Sequence, residues 1–163
     1  MKPLAIITGV GPGTGSAMVR RFVAGGYQVA MIARDVARLE ALAAELPDAF
    51  AVPCDVTDTP ALLAALEAIK ARAGVPAVVI HNAVGGSFAK FMDVTAQTLQ
   101  TNFDINVMAF FHLAQWAAPM MVEQGHGAIM VTGNTASQRG RAMFAGFAPT
   151  KAAARILSET LAR

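Results

Sequence analysis

Phe147 and Lys151 stand four residues apart in the stretch AGFAPTKAAA, so a phenyl ring and an ammonium share one face at the head of an alanine-rich helix. A tyrosine beside that cation would have its phenol pKa lowered and would suit proton donation to a carbonyl. Phenylalanine has no proton to give. The pair poses a question of function: an enzyme of carbonyl chemistry, or only the frame of one.

A second stretch, TGVGPGTGS from Thr8 to Ser16, follows a short β-branched run and opens a helical one. In that setting Gly9, Gly13 and Gly15 let the backbone turn tightly and approach a pyrophosphate, which the free amides and positive dipole end of the helix would hold. Glycines serving only the turn are the plainer alternative. At the end of the next strand, where many dinucleotide folds carry an acid for the ribose hydroxyls, this chain has Ala33-Arg34 followed by Asp35. A small residue and an arginine leave room and counter-charge for a 2′-phosphate, which favours NADP over NAD. Arg34 would equally serve as a solvated residue at a helix start.

These residues need a frame, and the apolar periodicity supplies one. Strands are predicted over Leu4 to Thr8, Gln28 to Ala33, Phe50 to Cys54, Ala77 to His81 and Ala128 to Thr132. Between them, Met18, Val19, Phe22 and Val23 mark one helix and Leu39, Leu42 and Leu46 a second. A third is predicted to open with Thr59 as N-cap and Pro60 at its first position, with Leu62, Leu63, Leu66 and Ile69 inward. Long helices follow from Thr95 to about Gln124 and from Phe147 to Arg163. Alternation of this kind calls for an α/β, doubly wound parallel sheet of Rossmann type, five strands with helices on both faces, in a single domain over residues 1–163.

Composition narrows the partners. The chain is 55% hydrophobic and 15% charged, against about 45–50% and 25% in ordinary domains, so some apolar surface is expected to meet a partner. The net charge of +2 comes from scattered basic residues without an aromatic-interleaved stripe, which excludes nucleic acid. Cys54 has no second cysteine to pair with and points to a reducing cytoplasm. His81, His112 and His126 lack companions at ligand spacing, so no metal is expected. MKPLAIITG reads as a first strand rather than a signal peptide. Ile105 to Val122 carries no formal charge over nearly a membrane's span, yet Asn106, His112, Gln115 and Pro119 favour a helix buried between subunits.

The spacing T-G-x-x-x-G-x-G over Thr8 to Gly15 resembles the glycine motif of the short-chain dehydrogenase/reductase family, and other segments agree in order along essentially the whole chain. CDVTD, with Asp55 and Val56, is similar to the family's adenine-contacting turn; HNAV, with Asn82 and Ala83, is similar to its N-N-A-G, although His81 and Val84 depart from it. The resemblance implies a cofactor site on Thr8, Gly9, Gly11, Gly13, Thr14, Gly15, Arg34, Asp55, Val56, Asn82, Ala83, Val84 and Lys151. It implies that Asn106 supports a proton relay, that Lys151 holds the nicotinamide ribose, and that Asn134 and Phe147 occupy the positions of the catalytic serine and tyrosine. Asn134 keeps an amide donor that can polarise a carbonyl. The hydroxyls of Thr132, Thr135, Ser137 and Thr150 read equally well as turn or cap groups.

Two classes of function follow. One is an NADP-dependent oxidoreductase transferring hydride to or from a small carbonyl or alcohol; the other is a non-catalytic dinucleotide-binding or subunit-assembly protein that has lost the serine and tyrosine. A methyltransferase using the same glycines fits poorly, because Arg34 stands where a ribose-binding acid would be. The family continues for two further strands and pairs through its last two long helices, so the resemblance implies either a fragment of a longer chain or a sheet edge and last helices covered by another copy, in a homo-oligomer.

Overall fold

The computed structural model describes residues 2–163. Five parallel strands, β1 (Leu4–Thr8), β2 (Gln28–Ala33), β3 (Ala49–Pro53), β4 (Pro76–His81) and β5 (Ala128–Val131), form one sheet in the order β3-β2-β1-β4-β5. Thr8 pairs with Ile32 on one side and with His81 on the other, so the C-terminal ends of β1, β2 and β4 lie together. The chain leaves β1 toward β2 and β3 and returns on its other side as β4. Such a switch point opens a crevice beyond the strand ends.

Every residue of β1 is buried, as a central strand of a parallel sheet requires. Alternate residues feed two separate cores. Leu4 and Ile6 join Leu62, Leu66, Ile69, Leu113 and Ala117 on one face, while Ala5 and Ile7 join Val19, Leu39 and Leu42 on the other. The helices are thereby assigned: α1 (Thr14–Ala24) and α2 (Val36–Glu45) cover the second face, and α3 (Thr59–Ala73) the first. This is the doubly wound arrangement that the alternation predicts.

Element edges shift by a residue or two. β3 begins at Ala49 and ends at Pro53, β4 takes in Pro76, and β5 stops at Val131 before Thr132. The cap of α3 is Asp58, whose carboxylate accepts from the Ala61 N–H, and not Thr59, which is already helical. The cap is worth about 1 kcal/mol, against about 1.5–3 kcal/mol for each fully buried Leu62, Leu66 or Ile69. Packing therefore decides how α3 sits, and Leu63, expected inward, lies outside it at 37% exposed.

The predicted helix from Thr95 is interrupted. α4 (Ala96–Phe103) passes through a π-helical turn, Asp104–Met108, into α5 (Ala109–Glu123). As one run, Ala96–Glu123 is long and apolar enough to cross a membrane by length and composition, but it sets Phe110, Leu113, Ala117 and Met121 into the protein core. Trp116 ties it to α3 by donating Nε1–H to Glu67 at 2.7 Å. The last helix, α6 (Ala148–Leu161), starts after Phe147, which serves as its N-cap residue.

Candidate functional site

Beyond β1 the chain bends back on itself before α1 begins. Gly9 has φ +68°, and a Cβ there would stand 2.4 Å from the Ala83 backbone; one on Gly15 would stand 2.6 Å from the Gly9 carbonyl oxygen. These two glycines are demanded by the protein's own packing. Gly11 and Gly13 are different. No atom lies within 4 Å of where their Cβ would be, yet both line a cavity of about 730 Å³. α1 has no side-chain cap and no acid in its first turn, and although Ser16 N–H donates to the Gly11 carbonyl at 3.1 Å, the amides of Thr14 and Gly15 are left for an anion.

The cavity runs from Gly9, Thr14 and Gly15 past Ala33 and Arg34 to Asp55 and Val56, then to Asn82, Ala83 and Val84, with Thr101 and Ile105 also on its wall. Arg34 projects into solvent, 79% exposed, with Nη1 3.8 Å from Asp55. The Asp55 carboxylate accepts from both the N–H and the hydroxyl of Thr57, and these bonds, with Arg34 a smaller contributor, hold its pKa below the usual value. Its Oδ1 is therefore committed to its own turn. Burial, reinforced by Asp55 and Asp58, pushes the Cys54 thiol up, so it is a poor nucleophile.

Thr8 lies beneath this surface, fully buried, and not on the cavity wall. Its Oγ1 accepts from the N–H groups of Asn82 and Ala83 at 3.2 and 3.3 Å, which fastens the glycine bend to the segment after β4. Asn82 Nδ2 donates to the Gly9 carbonyl at 2.8 Å and strengthens the same seam. Thr8 thus shapes the site from behind, while Asn82 both braces the bend and lines the cavity.

The other predicted site residues gather around the π turn and the start of α6. Asn106 is fully buried: its Nδ2 donates to Gly85 O at 2.7 Å and to Thr150 Oγ1 at 2.9 Å, and its Oδ1 accepts from Gly85 N–H. Thr150 in turn donates to the Phe147 carbonyl. Asn106 is thereby a clamp between the segment after β4 and the head of α6, its amide fully used. Lys151, expected on the cofactor site, is buried and not on the cavity wall: it donates Nζ–H to the Thr132 carbonyl at 3.0 Å and stands 5.9 Å from the centre of the Phe147 ring. Burial lowers its pKa.

Phe147 packs with Phe88 at 5.4 Å and Phe144 at 6.2 Å, in a small cluster of its own. Asn134 is exposed after β5, with Oδ1 accepting from Ala136 N–H, so its Nδ2 is the donor that can face a ligand. Asn106 joins the head of α6 through Thr150, while Lys151 holds the Thr132 carbonyl and Phe147 packs with Ala136, so the loop that carries Asn134 is fastened to the same helix.

Sequence reading missed Arg38, Asn102 and the role of His81. Arg38, in the first turn of α2, also borders the cavity and pairs with Asp35 at 2.8 Å. Asn102, four before Asn106, donates to Ser87 Oγ and to the Gly146 carbonyl, repeating the clamp one turn earlier.

A family model described as short chain dehydrogenase matches residues 3–163. D-erythrulose reductase of Gallus gallus is 33% identical over 159 residues, 97% of this chain and 63% of its own length. A short-chain dehydrogenase from Streptomyces avermitilis superposes with TM-score 0.95 at 31% identity, covering 99% of this chain and 60% of that one. An alcohol dehydrogenase from the archaeon Thermococcus sibiricus, complexed with 5-hydroxy-NADP, gives TM-score 0.92 at 28% identity, over 97% of this chain and 69% of that one. The chain thus spans a little under two thirds of the length of D-erythrulose reductase.

Proposed function

Because the chain belongs to the short-chain dehydrogenase family, we propose that it is an NADP-dependent oxidoreductase moving a hydride between the nicotinamide and a small carbonyl or alcohol. Its main support is the uncapped N terminus of α1, which opens with Gly11 and Gly13 onto a cavity bordered by Arg34 and Arg38. The amides of the bend hold the pyrophosphate, and the two guanidiniums neutralise a 2′-phosphate. Val56 and Ala33 flank the adenine; Asn82, Ala83 and Val84 line the passage toward the nicotinamide. Bound there, the nicotinamide supplies or accepts the hydride.

The protein's own groups at the reacting end are Lys151, Asn134 and Phe147. Lys151 would have to give up the Thr132 carbonyl to hold the nicotinamide ribose, and Asn134 would polarise the substrate oxygen through its amide. Phe147 stands in the place of the family's tyrosine, so proton transfer falls to solvent. The name of the erythrulose reductase supports a small ketone as substrate. Exposed Val122 on α5, with Ile156 and Leu161 on α6, supports pairing with a second copy, for which sedimentation should show a dimer or larger. The unpaired, half-buried Cys54 suits a reducing cytoplasm.

Calorimetry with NADP, NAD and S-adenosylmethionine tests the cofactor. NADP is expected to bind most tightly, and Arg34→Ala to weaken it roughly tenfold, the effect of one charge-assisted hydrogen bond, with NAD unchanged. A folded sample with no affinity for either nicotinamide nucleotide would refute the proposal. Equal loss for both would mean that Arg34 does not read the extra phosphate.

A further inference from the structure

His81 ends β4 at the switch point, fully enclosed, where the family pattern has asparagine. Its Nε2 lies 2.8 Å from the carbonyl oxygen of Ile105 in the π turn, which can only accept. Nε2 must carry the proton. Nδ1 is then a lone-pair acceptor, and at 3.0 Å it takes the hydroxyl proton of Thr8. That direction leaves Thr8 Oγ1 free to accept from the Asn82 and Ala83 amides, as it does. One imidazole thus closes a hydrogen-bonded line from the glycine bend, through Thr8, to the residue preceding Asn106.

We propose that His81, as the neutral Nε2–H tautomer, is a positioning residue that holds the cofactor-side bend and the Asn106 clamp in one register. The tie is directional. A proton added to Nδ1 would leave two donors facing each other, Nδ1–H and the Thr8 hydroxyl, and the line would break or reverse at the cost of the Asn82 and Ala83 bonds. The charged group that faces the ring from a neighbouring element is Lys151 on α6, while the Phe110 ring of α5 stacks on it at 6.0 Å. Burial first, and that cation second, oppose a second proton, against the bond to Ile105, and bring the pKa down to about 4. Because the folded value lies below the ordinary 6.5, stability contributed by His81 is complete above pH 6.5 and lost as pH falls toward 4.

The nucleotide half of the test rests on the cofactor reading above; the spectroscopic half does not. In imidazole ¹⁵N spectra, His81 should show a protonated Nε2 and a bare Nδ1 at pH 7, and should keep that form to below pH 5. A protonated Nδ1, or titration near pH 6.5, would overturn the assignment. NADP affinity in the wild type should fall about twofold more than in His81→Asn between pH 6 and 4, where half of the wild-type rings have gained a proton, since the asparagine keeps an acceptor for Thr8 but cannot titrate. His81→Phe, which removes both bonds and keeps a ring against Phe110, should weaken NADP about tenfold at pH 7, with His81→Asn restoring most of it. Parallel acid profiles for wild type and His81→Asn would overturn the proposal. Were no form to bind NADP, the cofactor reading would fall and the ring-nitrogen spectra alone would decide the tie.

Discussion

Phe147→Tyr is expected to raise the rate of NADPH-dependent ketone reduction by about 10²–10⁴, the usual contribution of a positioned general acid. Phe147 is 6% exposed and already packed against Phe88 and Phe144, so the ring needs no new pocket. Only a hydroxyl is added. Lys151 Nζ lies 5.9 Å from the ring centre, and a cation at that range lowers a phenol's pKa and readies it to donate. Lys151 itself has its pKa lowered by burial, so its help fades at a lower pH than an exposed lysine's would, and the variant's rate should decline on the alkaline side first. Adding Asn134→Ser returns the hydroxyl donor of the family pattern to the strand-five loop and should raise the rate further. Stopped assays of NADPH absorbance over a panel of ketones measure both. A wild type already as fast as the double variant would show that the proton comes from elsewhere, and a variant no faster than wild type would show that position 147 does not meet the substrate.

Why the frame was legible and the site only partly so follows from where each signal resides. β1 is buried on both faces, so its apolar run reads as a strand with no help from the rest of the fold. The glycines of the bend sit between that strand and an amphipathic helix, and local context alone gives them meaning. The π turn at Asp104–Met108 has no such local signal. It exists because Asn102 and Asn106 reach across to Ser87 and Gly146, and to Gly85 and Thr150, partners 15 to 44 residues away in sequence. The same holds for Thr8: its residue type fits a motif, but whether its hydroxyl turns to a ligand or to Asn82 and Ala83 is set by β4 beside it. Asp58 and Thr59 both suit an N-cap, and only the chain direction before α3 selects the aspartate.

Gly9→Ala and Gly13→Ala should separate stability from binding at the bend. At Gly9 a methyl meets backbone, with Ala83 Cα and N at 2.4 Å and the Asn82 carbonyl carbon at 2.7 Å, none of which is the end of a flexible side chain. The left-handed φ of +68° adds its own penalty, about 1–2 kcal/mol for a residue with a Cβ. Overpacking of this kind costs about 1–3 kcal/mol more, so urea denaturation should show a loss of about 2–5 kcal/mol. At Gly13 the methyl meets nothing of the protein, and the loss should stay near 1 kcal/mol or below. What the methyl does meet there is the space in which the bend would hold a diphosphate, so NADP affinity should drop tenfold or more with the fold intact. A Gly13→Ala protein that binds as the wild type does would mean that the open side of the bend is not where the phosphates lie. Should Gly9→Ala instead be harmless to stability, the seam between β1 and β4 would have to yield far more readily than its paired amides allow.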